Sequence, residues 1–305
     1  MQQKFTQEAE FRQERDFGQK IGATFEFLAA HWKPLGKCLL YFVLPAAVLT
    51  GLGLGFSQTR MFSGSTFPIG LGSGRFSTLS YMGPAYWLGL LASLIGYILL
   101  GSTVYGYMRA RLDTPAEQVI TPRQVWQYVT RYSPMLLLSS VVTIIIVVVA
   151  SMFLLIPGIY LGVALSLVWA IQVLEEGGVG YSLRRSMNLI SGKWWSTFGL
   201  TVVVSIIIGM MGVIFQVPQY LAIFGKALHW DFLSSDLLMI VSGIVAAAGH
   251  QLLYSVLMVA MAFQYFNLVE RKEGYGLRMQ VMSLGNAPAP TVANQHLRPD
   301  DEGEY

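Results

Sequence analysis

Charge is what this chain has least of. Asp, Glu, Lys and Arg make up 12% of its 305 residues, against 54% hydrophobic ones. A soluble domain carries about 25% charged residues. The length would allow two soluble domains, but the hydrophobic runs leave no room for one, so lipid is the expected solvent. Cysteine is scarcer still. Cys38 stands alone, which excludes an internal disulfide and any multi-cysteine metal site. It reads as a small apolar residue at a helix start. No apolar run precedes Leu35, so no signal peptide is expected and the first transmembrane helix must direct insertion. A net charge of +3 gives no ground for a nucleic-acid partner.

Catalytic chemistry is missing in the same way. The four histidines, His31, His229, His250 and His296, show no ligand spacing on a common helix. There is no Gly-x-Ser-x-Gly elbow. The glycines follow no strand and precede no Lys-Ser pair, so none forms a phosphate loop. No carboxylate falls inside a hydrophobic run. His229, Asp231 and Asp236 form a small polar cluster in a connection, where a solvated surface is a simpler reading than a metal. The expectation is a protein without catalytic residues, cofactor or metal.

What is present is a series of long apolar runs. A helix needs about 20 such residues to cross the hydrocarbon core. The pattern predicts an all-α, polytopic membrane protein with six spans: 35–56, 85–108, 135–156, 157–174, 196–217 and 237–266. Ile156-Pro157-Gly158 separates the third from the fourth, as proline starts helices and glycine permits reversals. Residues 1–15 read as a polar N-terminal segment. Ser57 to Pro84 reads as a mobile loop rich in Gly and Ser. The acidic tail, 285–305, reads as disordered, with docking of a protein partner as its sharper alternative. All but three of the 20 lysines and arginines fall on one side of this layout; the exceptions are Arg60, Arg75 and Lys226. The positive-inside rule then places both termini in the cytoplasm, in agreement with an even span count.

Three segments share a second pattern. Ile21, Phe25, Leu28 and Trp32 stand at i, i+4, i+7 and i+11; so do Thr121, Val125, Tyr128 and Tyr132, and Leu183, Met187, Ile190 and Trp194. That spacing lines one face of a helix. It predicts amphipathic helices at 17–33, 121–133 and 180–194, lying at the cytoplasmic interface among the membrane lipids. Pro34 and Pro134 follow the first two at the start of a span, and Ser196 takes that place after the third. The expected architecture is three hairpins, each introduced by an interfacial helix, about an axis along the membrane normal.

Polar residues inside the spans are few. His250 sits deep in the sixth, with Gln251 beside it and Tyr254 one turn on. A polar residue at that depth is costly and marks a candidate site. The alternative is a neutral histidine bonded to a neighbouring helix, packed among Gly243, Ala246, Ala247, Ala248 and Gly249. Gln172, Gln216 and Gln264 read as interfacial. Gly51, Gly53, Gly55, Gly89, Gly96 and Gly101 read as packing surfaces.

Two stretches carry a family likeness. Ile156-Pro157-Gly158-Ile159-Tyr160-Leu161 and Ser182-Leu183-Arg184-Arg185-Ser186, followed by Leu189-Ile190-Ser191-Gly192-Lys193-Trp194, resemble a group of bacterial six-span proteins similar to the membrane domain of some glycerophosphodiester phosphodiesterases. Phe25 to Leu35 resembles the start of such proteins. The resemblance implies the topology. No phosphodiesterase catalytic domain accompanies it, so that activity is not implied. Two functional expectations stand together. One is a non-enzymatic protein that binds or moves a lipid-like or small amphipathic substrate, with His250 facing a cavity. The other is a scaffold or assembly factor with no pathway.

Overall fold

A computed structural model describes residues 5–63, 83–115, 117–228, 230, 235–274 and 278. All the elements among them are helices: α1 (Glu8–Phe11), α2 (Phe17–Phe42), α3 (Leu44–Ser63), α4 (Pro84–Asp113), α5 (Pro122–Phe153), α6 (Leu155–Ala164), α7 (Val168–Leu174), α8 (Val179–Ile190), α9 (Trp194–Ala227) and α10 (Asp236–Glu273). Five stretches are long and apolar enough to cross a membrane, and α2 with α3 makes a sixth if that bent pair counts as one span. The chain is therefore a multi-pass helical protein. The expected loop beyond Ser63 and the acidic tail lie outside the described residues.

α10 is the organising element. Its 38 residues extend about 57 Å. Ser255 to Glu270 are all buried, so this stretch is covered on every side. It packs against α2, α3, α4, α7, α8 and α9. α5 and α9 are the opposite case. Ile144, Val148, Ile206, Met210 and Ile214 project outward, as suits helices whose solvent is lipid. Close approach is set by glycine. A Cβ on Gly53 of α3 would lie 2.6 Å from the Cα of Gly89 in α4, and one on Gly51 would collide with the backbone of Ile244 in α10. The glycines expected to form packing surfaces do so here.

Several boundaries differ from the sequence reading. α2 runs unbroken through Pro34 and α5 through Pro134, so the first two amphipathic segments are the opening turns of long helices. An interior proline removes one hydrogen bond but leaves the flanking ones, and it bends a helix more readily than it ends one. α2 instead breaks at Val43, with a bend of 49° into α3. There Pro45 supplies no N–H for the Tyr41 carbonyl. Of the three segments, only α8 is a separate helix. It ends at Ser191, and Gly192 at φ +79 turns the chain into α9, a backbone angle that suits glycine. Thr121 caps α5 as its sequence promises. Its hydroxyl accepts from the Gln124 N–H, and its own N–H donates to the Gln124 side chain at 2.9 Å.

The reversal between α5 and α6 sits at Leu154, in extended conformation, ahead of Pro157-Gly158. Gly158 has another use: a Cβ there would overlap the Ser151 hydroxyl across the hairpin. The fourth span is interrupted between Ala164 and Val168, and α3 continues to Ser63, beyond the residue at which a loop is expected. The N-terminal segment is not simply polar. Phe5 and Phe11 are buried in an aromatic cluster with Phe27, Phe263 and Phe266, and the Arg15 N–H donates to Asn267 Oδ1 at 2.8 Å.

The basic residues gather at one end of the bundle. There Arg109 donates to the Leu174 carbonyl at 2.7 Å, and Arg131 pairs with Glu176 at 3.0 Å. Glu175 accepts from Arg185, Tyr181 and Tyr265, tying α8 and α10 to the end of α7. That hydrogen bond to Glu175 raises the Tyr181 phenol above its ordinary value. Burial would lower Arg185, but Glu273 and Glu175 outweigh it and hold the guanidinium above its usual value. Burial lowers Arg15, with Glu26 opposing.

Candidate functional site

His250, Gln251 and Tyr254 lie in the half of α10 away from the basic end. Residues 250 and 254 are four apart and share a face. Tyr97 of α4 meets both. Its hydroxyl is 3.0 Å from His250 Nδ1, and its ring stands edge-on to Tyr254 with centroids 5.2 Å apart. A rotation of 100° takes Gln251 to another face of the helix, against α4. A Cβ on Gly96 would come within 2.5 Å of the Gln251 amide nitrogen, so a larger residue there would make this side chain shift. Gln251 is 2% exposed, and neither its Nε2 nor its Oε1 has a partner. Leaving such a group unpaired costs about 1–3 kcal/mol.

These residues stand between two cavities. The first is about 340 Å³ and opens between α3, α4, α9 and α10. His250 and Gln251 reach it from α10, Ser93 and Tyr97 from α4, Gln58 from α3, and Gln216 and Gln219 from α9. Ser242 Oγ donates to Gln219 Oε1 at 2.8 Å, and Gln219 Nε2 donates to Gln58 Oε1. The described residues lining it include no Asp, Glu, Lys or Arg. The second cavity is about 530 Å³ and mostly apolar. Leu94, Ile144, Trp169, Leu257, Met258 and Met261 supply much of its wall. Tyr97 lines both cavities, and Tyr254 lines the second.

The sequence singled out three of these residues and missed their setting. Tyr97 reads as one tyrosine among many. Gln58 and Gln219 fall beyond the expected span ends, because α3 and α9 both outrun them. Gln216 is half-buried in the cavity wall. Gln172 and Gln264 do not meet water, as both are fully buried between helices. Gln172 accepts from Ser139 at 2.9 Å. Gln264 accepts from Lys20 at 2.8 Å and donates to Thr197 at 2.9 Å. The buried histidine is His31, with its Nδ1 2.9 Å from the Tyr107 hydroxyl, whereas His250 is exposed. In each case the partner lies far off in sequence, so local pattern gives no signal. His229 and Asp231 lie outside the described residues. Asp236 pairs with Lys226, and no group of three or more His, Cys, Asp or Glu side chains forms a metal site among the described residues.

Residues 128–269 match a family described as a domain of unknown function (DUF7847). The matched stretch includes His250, Gln251, Tyr254 and much of the apolar cavity; Tyr97 and Gln58 precede it. No curated protein and no solved structure matches the chain.

Proposed function

We propose that the chain is a multi-pass protein of a bacterial cytoplasmic membrane that binds or moves a lipid-like amphipathic substrate. It supplies no catalytic group of its own. The observation that carries this reading is the pairing of cavities at Tyr97, one walled by amides and hydroxyls and the other by aliphatic and aromatic side chains. An amphipathic molecule has the same division. Its chain gains free energy in the apolar cavity by filling space that protein atoms leave empty. Its polar group finds donors and acceptors that are otherwise costly to bury. The clustering of basic residues at one end supports an orientation with both termini in the cytoplasm.

The test is lipid analysis of protein purified in a mild detergent. One lipid class should be enriched reproducibly over the membrane average. Gly162 lines the apolar cavity and has nothing within 4 Å of a Cβ position. Gly162→Phe should therefore fill the cavity without disturbing the fold, and reduce the bound lipid at least about 10-fold, the equivalent of 1.4 kcal/mol. A lipid complement that mirrors the membrane, unchanged by Gly162→Phe, would leave a scaffold as the better account.

A further inference from the structure

We infer that the amide-lined cavity takes an uncharged, hydroxyl-rich group, of the kind a glycosyl headgroup without a phosphate presents. This rests on the reading of the paired cavities as a site for an amphipath and names the chemistry of its polar half. Four carboxamides, Gln58, Gln216, Gln219 and Gln251, converge on one space of about 340 Å³. They come from three helices, so no local repeat produces the cluster. A carboxamide offers both donors and an acceptor, as does a hydroxyl, and the two satisfy each other in either direction. A phosphate needs positive charge or a surplus of donors when buried, and an ammonium needs carboxylates. The described lining supplies no Lys, Arg, Asp or Glu.

Gln251 has the most to gain from a ligand. It is 2% exposed, and its two side-chain polar atoms lie against Gly96 without a partner, closed off from the cavity that the rest of the side chain lines; a turn of the side chain would bring them into it. Buried polar groups in native proteins are almost always satisfied. The contrast with Gln219 is informative, since Ser242 and Gln58 already engage both ends of that amide. Gln219 is held in place, whereas Gln251 is held by packing against Gly96 with its hydrogen-bonding capacity unused.

The experiment is native mass spectrometry of the full chain in detergent with three probes. These are monoglucosyl diacylglycerol, phosphatidylglycerol with the same acyl chains, and free glucose. The glycolipid should bind at least 10-fold more tightly than phosphatidylglycerol. Gln251→Met and Gln216→Leu should each erase that preference while both lipids still bind. The second variant guards against a local repacking around Gly96. Retention of free glucose without lipid would uphold the headgroup chemistry and transfer the ligand to a soluble sugar, overturning the lipid reading alone. Equal or stronger binding of phosphatidylglycerol, unaffected by either variant, would overturn the inference and leave the amphipath reading intact. Binding of none of the three would remove both.

Discussion

Two glutamines on α10 show how differently one residue type behaves at the scale of a side chain. Gln264 completes a buried chain in which Lys20 donates to it and it donates to Thr197. Gln251 is as deeply buried and completes nothing. Methionine is close in size to glutamine and carries no strong donor or acceptor. Gln251→Met should therefore raise thermal stability in detergent by about 1 kcal/mol, because it removes an unpaid desolvation cost and breaks no bond. Gln264→Met should lower it by about 2 kcal/mol, because the Lys20 amine then keeps only Ser196 as an acceptor and Thr197 loses its donor. A melting curve for each variant reads both signs. A loss of stability in Gln251→Met would mean that the amide already has a structural use. His250, Gln251 and Tyr254 were legible in the sequence because polar residues in an apolar run stand out. Gln58 and Gln219 were not, since each sits where a run is already ending and polarity is expected.

Punctuation at the scale of the element carried two different messages that look alike in sequence. Pro34 and Pro134 promised helix starts, yet they lie inside α2 and α5. Gly192, which carries less weight in a pattern search, makes the break between α8 and α9. The reason is energetic. A proline in a helix forfeits one hydrogen bond, and a long helix with packed faces tolerates that loss. A residue at φ +79 cannot continue the helix at all. Interior glycines divide in the same way. Gly36 in α2 has nothing within 4 Å of a Cβ position, whereas Gly53 meets the backbone of Gly89 at 2.6 Å. Gly36→Ala is expected to be neutral or to stabilise by up to about 1 kcal/mol through backbone entropy. Gly53→Ala should cost about 2 kcal/mol or more, because two helix backbones must move apart. Thermal melting of the purified pair checks the difference.

Burial and hydropathy part company at the scale of the whole molecule. The most apolar windows belong to α5 and α9, yet these are only 17% buried, while the less apolar α10 is 83% buried over its window. In water the most apolar segment forms the core. In a bilayer there is no hydrophobic force between helices, so association relies on small residues, close packing and interhelical hydrogen bonds. α10 holds Gly243, Ala246 and Gly249 together with Gln251, Gln264 and Asn267, which suits a helix with protein on every side. This is why five of the spans, or six with the bent α2–α3 pair, could be read from apolar runs while the helix at their centre could not. A stretch such as Leu183–Trp195 looks more distinctive than α10 but serves only one end of the bundle.

The same asymmetry makes the orientation testable. Arg60 lies near the end of α3, and Arg123 opens α5 at the opposite, basic end; both are exposed, and the one native cysteine, Cys38, is fully buried. Single-cysteine probes can therefore be placed with little background. With both termini in the cytoplasm, Arg60→Cys should react with a membrane-impermeant maleimide in intact spheroplasts. Arg123→Cys should react only after lysis. The reverse result would turn the protein over in the membrane and place the amide-lined cavity, which lies in the half of α10 away from the basic end, nearer the cytoplasm. The side from which a polar headgroup enters would change with it. The charge bias predicts the first outcome because moving the basic end across the bilayer would carry Arg109, Arg111, Arg131 and Arg185 through hydrocarbon, at about 2.5–3.5 kcal/mol for each arginine that reaches the centre.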